Sequence, residues 1–240
     1  MFAGPNGSGK STLKELLPSG LIGVYINPDD IERNLRVRGF IDLAEYKVEA
    51  TQEELRTFFR SSTLLARANL TLVAEAIDCI SGRLSIDEGR SGAYVASVAS
   101  DFIRRRLLRE QISFTFETVM SSPDKVQLLR HAQKLGYRTY LYYIATEDPA
   151  INISRVALRV SLGGHGVPED KVISRYKRSL DLLPDAIRST NRAFIFDNSS
   201  WAEERTWIAA VTDGVNIEMK TERVPNWFDH AVLARLEDTE

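Results

Sequence analysis

The apolar residues of this chain fall into two rhythms. Short, nearly continuous runs rich in β-branched and aromatic residues occur at residues 23–26, at 112–116, in "YRTYLYYIAT" and in "RAFIFDNSS". Runs of that length and composition predict strands covered on both faces. Between them, apolar residues recur at helical spacing. "GKSTLKELL" predicts a helix ending near Pro18, and Asp29 and Asp30 stand where acids open a helix against its positive end. Further on, Ser122 suits an N-cap, Pro123 a first helical position and Asp124 the dipole. Leu128, Leu129, Ala132 and Leu135 then face inward until Gly136 ends the helix. Two more helices flank "SLGGHGVPED", the second starting at Pro168; "VNIEMK" adds a short strand, and the last residues read as a frayed or helical tail. Strands alternating with helices predict an α/β fold with a mostly parallel sheet covered by helices on both faces.

One stretch breaks the alternation. Over residues 35–111, "IDLAEYKVEATQEELRTFFRSSTLLARANL" and "SGAYVASVASDFIRRRLLREQ" both carry helical spacing. In the second, Tyr94, Val95, Val98, Phe102, Ile103 and Leu107 share a stripe. With "SGRLSIDEGRSG" read as a loop between them, residues 35–111 form an expected helical insertion. The core is then residues 1–34 and 112–240, with a lid over about 150–182.

Composition narrows the class only modestly. At 240 residues the chain suits one large α/β domain, or one domain with a sizeable insertion. Its 31 basic and 33 acidic residues nearly cancel, so no global charge points to nucleic acid or a membrane surface. The single Cys79 forms no internal disulfide. No apolar run approaches the roughly 20 residues that cross a bilayer, and no apolar leader precedes the first motif. A soluble cytoplasmic protein is the default expectation.

The candidate chemistry starts at once. Gly4-Pro5-Asn6-Gly7-Ser8-Gly9-Lys10-Ser11 satisfies G-x-x-x-x-G-K-[ST], with Thr12 following. Glycines let successive N–H groups turn toward phosphate oxygens, Lys10 reaches the β- and γ-phosphates, and the Ser11 hydroxyl serves as a ligand for Mg²⁺. The strand that should hold this loop has only residues 1–3 to draw on. Asp29 lies beyond the strand at 23–26, on the sheet edge where ligands bind. It could take a proton from an attacking hydroxyl, hold a magnesium-bound water, or merely cap its helix. Glu117 follows the strand at 113–116 and offers a second carboxylate for substrate hydroxyls or Mg²⁺; its plainer role is a loop glutamate paired with an arginine. Arg155, Arg159, Arg175 and Arg178 flank the Gly163-Gly164-His165-Gly166 tip. They read either as a lid that brings guanidiniums to a transferring phosphate or as a solvated helical face.

Taken in order, "AGPNGSGKST", "YINPDDIERNL", "SFTFETVMSSPDK", "RVALRVSLGGHGVPEDKVISRYKRSL" and "FIFDNS" resemble the zeta toxin family of P-loop kinases, in its broader bacterial branch. The resemblance implies a P-loop fold, ATP and Mg²⁺, and transfer of the γ-phosphate to a hydroxyl of a nucleotide sugar such as UDP-N-acetylglucosamine. It also brings a toxin role and an antitoxin protein as partner. Residue by residue, it makes Lys10 and Ser11 the phosphate and metal residues and Asp29 the catalytic base. Glu117 and Thr118 become the sugar contacts, Arg159 and Arg175 the lid arginines. Asp197 and Asn198 fall where the last motif strand approaches the nucleotide, so that Gly4, Asn6, Gly7, Ser8, Gly9, Lys10, Ser11, Thr12 and Asn198 form the expected ATP site. "FETVMS" departs from the Glu-Gly-Thr form of the sugar-binding toxins, and the insertion is longer than theirs. The expectation is thus a small-molecule kinase. An ATPase switch with a protein partner, or a non-catalytic nucleotide-binding protein, stand as alternatives.

Overall fold

The computed structural model describes residues 1–240 except 88, 90, 91, 165, 201–204 and 238–240; His165 therefore lies outside the described residues. In chain order the strands are β1 (Phe2–Ala3), β2 (Val24–Ile26), β3 (Phe40–Asp42), β4 (Ile77–Ile80), β5 (Arg83–Ile86), β6 (Phe114–Thr118), β7 (Tyr140–Ala145), β8 (Arg192–Asp197), β9 (Thr206–Thr212) and β10 (Asn216–Met219). The helices used below are α1 (Ser19–Ile22), α2 (Pro28–Arg38), α3 (Gln52–Arg60), α4 (Thr63–Arg67), α5 (Ala93–Arg109), α6 (Asp124–Lys134), α7 (Pro149–Ser161), α8 (Glu169–Asp181) and α9 (Leu183–Arg188).

Seven strands form a mostly parallel mixed sheet in the order β10-β9-β8-β7-β1-β6-β2, flanked by helices. All pairs from β8 to β2 are parallel; β9 and β10 add an antiparallel edge. The expected α/β architecture is therefore present. By contacts the chain divides into two compact units, Met1–Pro18 with Glu117–Glu240, and Ser19–Phe116.

In the first unit, β1 is two residues long and sits between β6 and β7, pairing Phe2 with Glu117 and Tyr142, and Ala3 with Thr118 and Tyr143. Both residues are fully buried, and Phe2 meets the Tyr142 ring edge-on at 5.5 Å. Complete burial of a phenylalanine is worth about 1.5–3 kcal/mol, so a short strand between two neighbours still anchors the glycine loop. The helix after that loop is a 3-10 helix, Lys10–Leu16, in which Leu17 N–H closes on Lys14 O. It is tightened from its start: Gly9 O accepts both the Thr12 N–H at 3.2 Å and the Thr12 hydroxyl at 2.8 Å.

α6 begins one residue later than the sequence suggests. Ser122 offers its backbone carbonyl to Lys125 N–H, leaving Pro123 as the capping position with no side-chain cap. Val126, Leu129 and Ala132 face inward, whereas Leu135 is exposed. Strand β9 is an element missing from the expectations above, although Thr206–Thr212 carries the same kind of unbroken apolar run, with Ile208 through Val211 all buried.

The second unit corrects the picture of a purely helical insertion. The expected loop "SGRLSIDEGRSG" contributes β5, which pairs antiparallel with both β3 and β4 in a three-stranded sheet. Ser81 and Gly82, both at positive φ, form the two-residue turn that joins β4 to β5. Helix α3, opened by a capping box between Thr51 and Glu54, packs against β4, and α5 packs on α2; α5 buries Val95, Val98, Phe102, Ile103 and Leu107. Tyr94 is exposed. Strand β2, α2 and hence Asp29 belong to this unit, so its boundaries at 18/19 and 116/117 differ from the expected 34/35 and 111/112.

Candidate functional site

The loop between β1 and the 3-10 helix is set by three glycines in the left-handed region: Gly4 at φ 145°, Gly7 at 75° and Gly9 at 97°. Each is also held against other groups. A Cβ on Gly4 would stand 2.0 Å from Ile144 O, one on Gly7 2.6 Å from Asn152 O, and one on Gly9 2.6 Å from Asn198 Nδ2. Glycine is required twice over here, by conformation and by close approach.

Two amides brace the loop from behind. The buried Asn152 on α7 donates its Nδ2 to Asn6 O at 2.6 Å and accepts the Thr146 hydroxyl. Asn198, just past β8, donates its Nδ2 to Ser8 O at 2.8 Å. Arg155, one turn along α7 from Asn152, joins the two braces by donating to Asn198 O at 2.7 Å and Ser200 O at 2.9 Å. Burial pulls the Arg155 guanidinium below its ordinary value, and the charge of Asp197 opposes that shift. Gly4 N–H reaches Thr118 O at 3.3 Å, so β6 anchors the loop's first residue.

Within this frame Lys10 Nζ folds onto Pro5 O at 2.8 Å, and the Ser11 hydroxyl donates to Glu117 Oε2 at 3.4 Å. Glu117 is buried inside β6, which continues past the expected end at residue 116. Its carboxylate thus faces the hydroxyl expected to take the metal. The Thr118 hydroxyl accepts Met120 N–H at 3.0 Å, supporting a turn in which Met120 has φ 54°. Two buried polar atoms of the loop, Asn6 Oδ1 and Ser8 Oγ, have no hydrogen-bond partner among the described residues. Left-handed glycines, a lysine, a serine beside a carboxylate and orphaned polar atoms together suit a phosphate chain with a divalent cation.

The other expected residues lie on several elements. Asp29 lies in the first turn of α2, and the cap there is Asn27, whose side chain accepts Asp29 N–H at 3.0 Å; neither acid is the N-cap. Asp30 instead pairs with Arg33 at 2.7 Å. Arg159 is in the last turn of α7, and its carbonyl accepts Gly164 N–H at 2.9 Å. Arg175 is half-buried on α8, whose Tyr176 hydroxyl ties the helix to Thr146 O at 2.6 Å. Asp197 accepts the Ser199 hydroxyl and the Trp227 indole N–H at 2.7 and 2.8 Å.

Sequence reasoning misses three participants: Asn152, Thr146 and Arg205, the last donating to the Thr12 hydroxyl at 2.9 Å. Asn152 does carry a signal, because it shares the buried stripe of α7 with Val156, and a polar residue on such a stripe calls for a partner. Arg205 carries none, since the hydroxyl it holds lies 193 residues away along the chain.

No protein-family model matches the chain. A curated protein of Haemophilus influenzae, described as uncharacterized, is 33% identical over 69 residues, which is 29% of this chain and 49% of that protein. The fold is similar to crystal structures of AvrRxo1-ORF1:AvrRxo1-ORF2. The one with ATP has a TM-score of 0.51 at 15% identity over 91% of this chain, and the one with sulphate ions 0.51 at 14% over 92%. At that identity the likeness shows the fold. The chain spans about half of the curated relative and 60% of each solved chain. Among the described residues no helix is long and apolar enough to cross a membrane.

Proposed function

We propose that this protein is an ATP-dependent small-molecule kinase that phosphorylates a hydroxyl group. The observation that carries the proposal is the loop itself: three left-handed glycines pressed on neighbouring groups, with Ser11 facing Glu117. Neighbours of the same fold add support. One was crystallised with ATP, and all are complexes with a second protein, which favours both a nucleotide and a protein partner here.

When bound, Mg²⁺·ATP supplies the transferable phosphoryl group and the metal's charge neutralisation. The loop amides and Lys10 hold the phosphates, and Lys10 must leave Pro5 O to do so. Ser11 and Glu117 would hold the metal. That assignment moves Glu117 from the sugar contact implied by the resemblance to the metal, on the strength of its position beside Ser11. Asp29 takes the proton of the acceptor hydroxyl, and Arg159 and Arg175 neutralise charge on the transferring group. Positioning and electrostatics then account for most of the rate. The acceptor we favour is a nucleotide sugar of the UDP-N-acetylglucosamine kind, with Thr118 beside it; a toxin role with an antitoxin partner follows from the same resemblance.

The test is a mass-spectrometric screen with Mg²⁺·ATP, a panel of nucleotide sugars, and Lys10→Ala as control. A phosphorylated sugar nucleotide that is missing from the control supports the reading. ADP formation with no phosphorylated acceptor sinks the sugar kinase and favours water as acceptor.

A further inference from the structure

We infer that Arg205 binds the α-phosphate of the nucleoside triphosphate, an inference that rests on the nucleotide reading above. The phosphate loop gives it a direction. Ser11 and Thr12 are consecutive, yet their hydroxyls are engaged on opposite flanks of β1. Ser11 reaches Glu117 in β6, whereas Thr12 is held by Arg205 just before β9. In the strand order, β6 lies on one side of β1 and β7, β8 and β9 on the other.

The metal-binding hydroxyl and its carboxylate mark the end of the cradle that takes the β- and γ-phosphates. The opposite flank is left for the phosphate nearest the nucleoside. Arg205 occupies that flank. The antiparallel register places Thr206 opposite Asp197, which brings Arg205 near Asn198, whose amide grips Ser8 O. A Cβ on Gly9 would stand 2.6 Å from that amide and 3.8 Å from Thr12 Oγ1, which puts Gly9, Thr12, Asn198 and Arg205 around one corner of the loop.

The chemistry fits an anion. A guanidinium has five N–H donors, and the Thr12 hydroxyl occupies one of those on Arg205 at 2.9 Å. Among the described residues Arg205 forms no salt bridge with a carboxylate, unlike Arg33, Arg60 or Arg235. Arg205 is half-buried, steered by the hydroxyl next to the metal serine and without a described counter-ion. It is thereby equipped for fork-like binding of phosphate oxygens.

The experiment is calorimetric titration of the whole chain, wild type, Arg205→Gln and Arg205→Lys, with Mg²⁺·ATP, Mg²⁺·ADP and the two diastereomers of adenosine 5′-O-(1-thiotriphosphate). Melting temperatures are measured alongside. The expected result is that Arg205→Gln weakens ATP and ADP alike, by roughly ten- to a hundredfold, as loss of a charge-assisted contact should. It should also abolish the wild-type preference between the diastereomers, with Arg205→Lys intermediate. Equal affinities and an unchanged preference in Arg205→Gln overturn the inference while leaving the nucleotide site standing. Loss of ATP but not ADP affinity moves Arg205 to the γ-phosphate and overturns the assignment. A wild-type chain that binds neither nucleotide removes the nucleotide reading and this inference together.

Discussion

Replacing Asn152 tests whether the loop is held open for phosphate by the helix behind it. A backbone carbonyl only accepts, so the Asn152 amide must turn its nitrogen to Asn6 O and its oxygen to the Thr146 hydroxyl. In Asn152→Ala, Thr146 retains an acceptor in Asp148 O at 3.3 Å, so the orphaned group is Asn6 O. Leaving one such carbonyl unpaired beside a vacated buried site costs about 2 kcal/mol. For a chain of this size that lowers the melting temperature by roughly 4–8 °C. The effect on binding is separate. If the freed loop spends about nine-tenths of its time in other conformations, the apparent Kd for Mg²⁺·ATP rises roughly tenfold, in proportion to the lost competent fraction. Asn152→Asp should be worse, because a carboxylate cannot donate to Asn6 O. Differential scanning fluorimetry with and without Mg²⁺·ATP reads both effects. An Asn152→Asp protein with wild-type melting temperature and wild-type nucleotide shift would refute the brace.

Three other outcomes are expected of the same structure. Gly7→Ala should lose roughly 1–3 kcal/mol from strain at φ 75° and from the clash with Asn152 O, and should lose ATP binding as well. Gly136→Ala, at φ 84° with no described residue near its Cβ, should cost only about 1 kcal/mol and leave ATP binding intact; paired melting curves and titrations compare them. Asp29→Asn should keep ATP affinity and slow phosphoryl transfer by roughly 10²-fold or more in single-turnover assays; normal transfer would remove Asp29 as the base. Burial pushes the Cys79 thiol up, against a smaller opposing hydrogen bond from the Gly82 backbone. Less thiolate is then present at pH 8 than in the unfolded chain, so iodoacetamide should label Cys79 more slowly in the native protein than in guanidinium, and equal rates would contradict the shift.

How much of the molecule is legible in its sequence depends on whether the cause is local. The glycine loop is legible because its conformation is one that only glycine can serve, and β7 and β8 because their largely buried centres are nearly continuously apolar. The α/β class comes from their alternation with helices. The hairpin of β4 and β5 is not legible: "IDCI" and "RLSI" are short, and their pairing depends on a turn of Ser81 and Gly82 that resembles any polar loop. The braces are hidden for a stronger reason. Asn152 lies 146 residues from the carbonyl it holds, and Asn198 lies 190 from its own. Spacing along a chain carries no trace of such a bond. It does carry the anomaly of an amide on a helix's buried stripe, and that anomaly, traced into the fold, leads from α7 to the back of the glycine loop. A loop braced in this way has its shape fixed before any ligand arrives, so part of the ordering cost of binding has been met by folding. Nucleotide affinity and the stability of α7 should therefore change together across variants of Asn152, Thr146 and Arg155, whereas variants at Arg205 should change affinity alone.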